Sequence, residues 1–257
     1  ERLDEFYKQT NNKYIPVYMA EVRAFRAMYY YYLVDMFGRV PLVLSSSTPM
    51  KEVKQSTREE VFSFVVKELQ ESLPLLSTER SNQLGDYYGR MTRPVAYFLL
   101  AKLALNAEVY TDNDWTSGSR PDGKSLFFEV GGQRLNAWQT TVTYCDSITA
   151  LGYQLSRNYE ENFSVFNETS VENIFTIPMD KNFYTNQMQY LFRSRHYNHA
   201  KAYGLSGENG SSATKEALRT FGYGTGSVDS RFDKCYFAGI MLDLNGDTIR
   251  LDNGVVL

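Results

Sequence analysis

The stretch 183–203 gathers Tyr184, Tyr190, Tyr197 and Tyr203 among Asn186, Arg193, Arg195 and Asn198. A tyrosine offers an apolar ring with a polar tip and suits a half-wet surface. Arginine and asparagine side chains donate hydrogen bonds. Together they could stack on the rings of a sugar and bond its hydroxyls. The aromatic spacing follows neither a helical nor a strand period, so a pure core role is harder to argue. Trp115, in the polar loop around Asp112-Asn113-Asp114, is a second stacking platform. The candidate contacts are therefore Trp115, Tyr184, Tyr190, Arg195, Tyr197, Asn198 and Tyr203. For any single tyrosine the competing explanation is packing beneath the loops.

Other chemistry-bearing patterns are weaker. Gly118-Ser119-Arg120-Pro121-Asp122-Gly123-Lys124-Ser125 matches the phosphate-loop expression letter by letter. That chemistry needs a strand before the loop and a helix after it. Here Asp112–Trp115 precedes it and a strand-like segment from Leu126 to Val130 follows, so a coincidental loop is expected. His196 and His199 are the only histidines, and a catalytic zinc needs a third protein ligand that no nearby motif supplies. Asp243-Leu244-Asn245-Gly246-Asp247 starts like a calcium loop, but Thr248 and Gly254 occupy the positions that need Gly and Glu. A structural Ca²⁺ held by Asp112, Asp114 and Asp122 competes with an ordinary solvated loop. No cofactor is expected. No nucleophile elbow or triad order is present, so no catalytic residue is assigned. Cys145 reads as a small core residue on a helix stripe, and its pairing with Cys235 stays open because sequence does not show proximity.

These residues need elements to hold them. Four long helices are expected in the first 152 residues. The first spans 16–37. Ala20, Ala24 and Ala27 recur at helical spacing, and Tyr18, Val22, Phe25, Tyr29, Leu33 and Met36 form an apolar stripe. Gly38 caps it and Pro41 prevents resumption. The second spans 58–72, with Thr57 and Glu60 as a capping box, Phe62, Val65, Val66, Leu69 and Leu73 inward, and a Lys67–Glu71 pair on the wet face. The third spans 93–110, capped by Thr92, Ala-rich and the most buried. The fourth spans 135–151, with Trp138, Val142, Cys145, Ile148 and Leu151 inward and Gly152 at its end. After residue 110 the texture changes. Fourteen of the 17 glycines lie there, so turns dominate. Ile174–Pro178 reads as a short strand, Thr214–Phe221 as a short capped helix, and Ile240–Leu251 as a hairpin with a type I′ turn at Asn245-Gly246.

Composition narrows the function. A net charge of −3 and a pI near 5.6 leave no basic face for nucleic acid. Apolar runs break well before the ~20 residues of a membrane span. The chain starts at charged Glu1-Arg2 without a leader or lipobox, which implies processing or truncation rather than a cytoplasmic home.

Several segments, in order, resemble the SusD/RagB family. Arg26 before the aromatic run, with Gly38-Arg39-Val40-Pro41-Leu42 after it, is one. Ser56-Thr57-Arg58-Glu59-Glu60-Val61 is the next, followed by Gly89-Arg90-Met91-Thr92 leading into the Ala-rich helix. Trp138 through Leu151-Gly152-Tyr153-Gln154-Leu155, Asn173–Ile177 and Asp229-Ser230-Arg231 complete the series. Asn173 stands where the family usually has Glu. The resemblance implies a mainly α fold: a TPR-like helical scaffold over 1–152 and a loop-rich recognition portion with short strands and hairpins over 153–257. It implies a non-catalytic, cell-surface lipoprotein of the outer membrane. Such a protein captures oligosaccharide and passes it to a SusC-like TonB-dependent transporter. Its lipid anchor would lie outside this chain, which resembles the middle of a longer protein. A glycoside hydrolase and a TPR-type protein-interaction scaffold are the alternatives.

Overall fold

In helix α2 (Ile15–Phe37) the alanine spacing decides which face turns inward. Ala20, Ala24 and Ala27 are buried with Met28, Tyr31 and Val34. The aromatic stripe is not. Tyr18, Val22, Tyr29, Leu33 and Met36 are exposed, and only Phe25 is partly covered, with its ring edge-on to Phe175 at 6.2 Å. This corrects the sequence expectation. Small side chains let a neighbouring backbone approach closely, so the alanine face turns inward and takes Tyr31 with it. Gly38 ends the helix at φ 70°, its N–H donating to the Val34 carbonyl. A short helix α1 (Arg2–Thr10) precedes α2 and buries none of its residues, so it left no apolar stripe to read.

The computed structural model describes residues 2–179, 182, 197, 200, 212–236, 239–251 and 253–256. The chain divides into two compact units, Glu1–Pro178 and Met179–Leu257.

Helix α3 (Arg58–Ser72) starts with the expected capping box: Thr57 accepts from the Glu60 amide and Glu60 accepts from the Thr57 amide. Its inward face is Val61, Phe62, Val65 and Leu69. It packs antiparallel to α2, since Arg23 meets Glu71, Arg26 meets Glu68, and Tyr30 meets Phe64. Glu68 is buried in this seam. Arg23 donates to it from Nε at 3.2 Å and Nη2 at 2.7 Å, and Arg26 closes the other carboxylate oxygen. Burial pushes the Glu68 carboxyl up, but the hydrogen bonds from Arg23 and Arg26 outweigh it and hold it below the ordinary value.

Helix α4 (Arg93–Leu105) is the most buried, with Val95, Ala96, Leu99, Leu100, Leu103 and Ala104 enclosed. It is shorter than expected: the chain breaks at Asn106 and resumes as α5 (Ala107–Tyr110). Thr92 precedes it but makes no capping bond; its hydroxyl is buried without a partner. Strands β1 (Phe127–Val130) and β2 (Gln133–Asn136) form an antiparallel hairpin, and β2 runs directly into α6 (Ala137–Ala150), which packs on α4. The buried face of α6 is Ala137, Thr140, Tyr144 and Ile148. Val142 and Cys145 are exposed, so the expected stripe is rotated and Cys145 is not a core residue. Tyr144 instead lies against Tyr97 of α4 at 5.6 Å.

Residues 153–178 hold together through side chains rather than a ladder. Glu172 accepts from the Ser156 amide and Asn162 Nδ2, and Asn82 donates to the Ser170 carbonyl. Ile174–Pro178, expected as a strand, forms none. In the second unit, α7 (Lys215–Thr220) is capped by Thr214 as expected, and Phe232 of α8 (Phe232–Cys235) stacks on Tyr223 at 5.0 Å. The segment 241–249 is bridged at Leu242 and Thr248. Gly246 is at φ 88° while Asn245 keeps negative φ. The turn is thus a three-residue type I turn with a glycine bulge, not type I′.

Two outcomes are expected. Leu100→Ala, at a side chain only 1% exposed, should cost ~2–5 kcal/mol in chemical denaturation, against ~0.5 kcal/mol or less for Val142→Ala. Glu68 contributes stability that is present at neutral pH and lost as pH falls through its depressed value. Glu68→Gln should therefore cost ~1–3 kcal/mol at neutral pH, and its deficit against the parent should shrink in denaturation curves taken below the ordinary Glu value of 4.5.

Candidate functional site

Trp115 sits in the loop after α5 and is 74% exposed. It lines a depression of about 340 Å³ with Phe37, Arg39, Gln55, Arg58, Asp112 and Asn113. Phe37, the last residue of α2, is also largely exposed, so two aromatic faces border one polar hollow.

The polar groups there are held in place by the backbone. Arg58, the first residue of α3, donates to the Val109 carbonyl at 2.9 Å and the Asp112 carbonyl at 3.4 Å. Its guanidinium lies against Gly38, where a Cβ would come within 3.1 Å of Nη2. Only glycine permits both that approach and the positive φ. Arg39 donates to the Asn113 carbonyl at 2.8 Å, and Gln55 donates to the Arg39 carbonyl at 2.9 Å. The Asn113 amide donates to Glu59 Oε2 at 2.8 Å. Asp112 accepts from the Asp114 amide, and Asp114 accepts from the amide and hydroxyl of Thr116. The Thr116 bonds hold the Asp114 carboxyl below its ordinary value. The aspartates thus order the loop by bonding their own backbone. Among the described residues no group of three or more His, Cys, Asp or Glu comes together to hold a metal ion.

A larger groove, about 830 Å³, runs beside α2, α4 and α6 and is lined by Met28, Tyr31, Phe98, Leu99, Ile148 and Phe175 among others. Its walls are mostly apolar, and its Glu172 and Asn173 side chains are committed to the loop that carries them. A hydroxyl-rich ligand there would meet mostly apolar wall, with Lys102, Thr149 and Gln154 among the few polar groups. The Trp115 hollow is the better polar site.

Of the residues expected from sequence, Trp115 and Tyr197 are described, and both are exposed. Tyr184, Tyr190, Arg195, Asn198 and Tyr203 lie outside the described residues, as do His196 and His199. The residues joining Trp115 were missed. One signal was legible: Arg58 places a cation at a helix N-terminus, where the macrodipole disfavours it. Such a side chain has another task. The phosphate-loop look-alike lies in a loop that leads into β1, with no helix after it. Gly123 is there because Trp138 packs onto it, leaving no space for a Cβ.

Residues 1–105 match the SusD-like family described as starch-binding and associating with the outer membrane. Over this stretch the chain is similar to the SusD/RagB family. It is 26% identical over 149 residues to the starch-binding protein SusD of Bacteroides thetaiotaomicron, covering 58% of this chain and 22% of that protein. A SusD-like protein from Bacteroides fragilis superposes with a TM-score of 0.60 at 18% identity, over 95% of this chain and 44% of the other. A laminarin-binding SusD-like protein aligns with a TM-score of 0.46 at 24% identity, over 63% of this chain and 30% of the other. This SusD-like chain spans less than half the length of each of these relatives. The expected fold class stands: mainly α, a TPR-like helical scaffold followed by a loop-rich portion. No helix among the described residues is long and apolar enough to cross a membrane.

Because Trp115 is exposed and its ring supports no neighbour, Trp115→Ala should shift the melting temperature by no more than ~2 °C, consistent with a surface change. Gly38→Ala, which forces both φ and Arg58, should lower it by several times as much in the same thermal scan.

Proposed function

We propose that this SusD-like chain is part of a cell-surface protein that captures oligosaccharide without cleaving it and delivers it to a SusC-like TonB-dependent transporter. The observation that carries the capture step is the pairing of exposed Trp115 and Phe37 rings with a fixed set of polar groups in one hollow. A sugar ring places its C–H face on an aromatic plane while its hydroxyls meet Arg39, Gln55, Arg58 and Asn113, most of which are already oriented. The relatives support this reading, since those described bind starch or laminarin. The stretch 183–203, with Tyr184, Tyr190, Arg195, Tyr197, Asn198 and Tyr203, remains the second candidate on sequence grounds.

The absence of catalysis is supported by the carboxylate inventory of the hollow. Hydrolysis of a glycosidic bond needs two carboxylates facing each other across the sugar. Among the described residues Asp112 is the only acid lining this hollow, and it is bonded to its own loop. Delivery to a transporter, the outer-membrane location and a lipid anchor rest on the family alone.

Affinity electrophoresis or calorimetry on a panel of polysaccharides tests the capture step, with product analysis on the same mixtures. Binding without product is expected. Trp115→Ala should weaken it about tenfold, or ~1.4 kcal/mol. Release of shorter sugars by the chain would overturn the non-catalytic reading. Unchanged affinity in Trp115→Ala would move the site away from this hollow.

A further inference from the structure

The Trp115 hollow carries two guanidiniums, Arg39 and Arg58, and a single acid, Asp112. Among the described residues, neither arginine has a carboxylate within ion-pair distance. Elsewhere in the first unit Arg23 and Arg26 meet Glu68 and Arg90 meets Glu21, while Arg80 and Arg93 bond backbone carbonyls. In the hollow both arginines bond neutral backbone carbonyls. Those bonds use one Nη of each fork and fix the plane of the group without an ion pair; Arg39 acts on the Asp114 carboxylate only through space. Asp112 balances one of the two positive charges at most, and it lies beyond ion-pair distance of both arginines while accepting the Asp114 amide. Asp114 lies outside the lining and is bonded to Thr116.

An arginine whose plane is held and which has no carboxylate within ion-pair distance can bond two oxygens of a carboxylate or a sulfate ester in a bidentate manner. The neighbouring Trp115 and Phe37 rings call for a flat, partly apolar ring beside that oxyanion. Gln55 and Asn113 amides add neutral contacts. We infer that the Trp115 hollow selects an acidic sugar, a pyranose bearing a carboxylate or a sulfate ester, over its neutral counterpart. The acid group would face Arg39 and Arg58 while the ring lies on Trp115. This rests on the capture reading above and adds the ligand class to it.

Oligogalacturonate and its methyl ester make a matched pair: the same sugar backbone with and without charge. A sulfated oligosaccharide with its desulfated form makes a second pair. Titration by calorimetry at low and moderate salt should show one acidic member binding at least tenfold more tightly than its neutral partner. That margin should shrink with salt, as exposed charge pairs do. The pair that shows it tells carboxylate from sulfate. Arg39→Gln, whose side chain holds only one carbonyl, should keep the fold and bind both members alike; Trp115→Ala should weaken both. Equal affinity for acidic and neutral members in the parent chain overturns the charge selection and leaves capture standing. An acidic preference that persists in Arg39→Gln and in Arg58→Gln, each checked for native melting, also overturns it. Absence of binding to every member, or binding indifferent to Trp115→Ala, overturns the capture reading at this hollow and the selection with it.

Discussion

The close approach of helices at alanine is the constraint on which the first unit depends. Ala24, Ala27, Ala96, Ala104 and Ala107 have no exposed surface at all. Each contributes little apolar area by itself, so the benefit comes from packing density: backbones draw near and the larger side chains between them, such as Val61, Val65, Leu69, Leu100 and Leu103, are fully enclosed. Of the α2 rings, Tyr31 enters this core and Tyr30 meets Phe64, while Tyr18, Tyr29, Tyr32 and Phe37 lie on the outer face, where Phe37 borders the polar hollow.

Charge is used differently in the seam and at the hollow. Between α2 and α3 the buried Glu68 is met by two arginines, because an isolated carboxylate would be costly there. At the junction of three chain ends, Arg58 does the opposite. It ties the C-terminus of α2, the N-terminus of α3 and the segment after α5 together through carbonyls and a glycine contact. That arrangement keeps the loop of Asp112 to Trp115 in place and leaves a positive group facing solvent. A scaffold contact and a recognition feature thus coincide in one side chain, and Gly38, which ends α2, is what allows it.

The likeness to SusD-like proteins fits this division of labour. Helix pairs supply a rigid frame, and the loops at their ends carry the groups that vary. The helical frame is shared with a SusD-like protein of Bacteroides fragilis.

The sequence by itself determined where the four long helices start, though not α1 or the break at Asn106. The capping box at Thr57 and Glu60, the glycine stop at residue 38 and the alanine-rich run of α4 are local signals, and each depends on residues within a few positions of one another. It also marked Trp115 as an exposed ring in a polar loop. Tertiary structure alone decided which face of α2 and α6 is inside, since both faces of α2 are apolar and periodicity ranks them equally. The correct choice depends on how near a partner helix comes. It decided as well that Ile174–Pro178 forms no strand, with Ile174 and Phe175 packed against the core instead. And it brought Phe37, Arg39, Gln55 and Arg58 to Trp115 from up to 78 positions away in the chain, a distance over which no local pattern carries information.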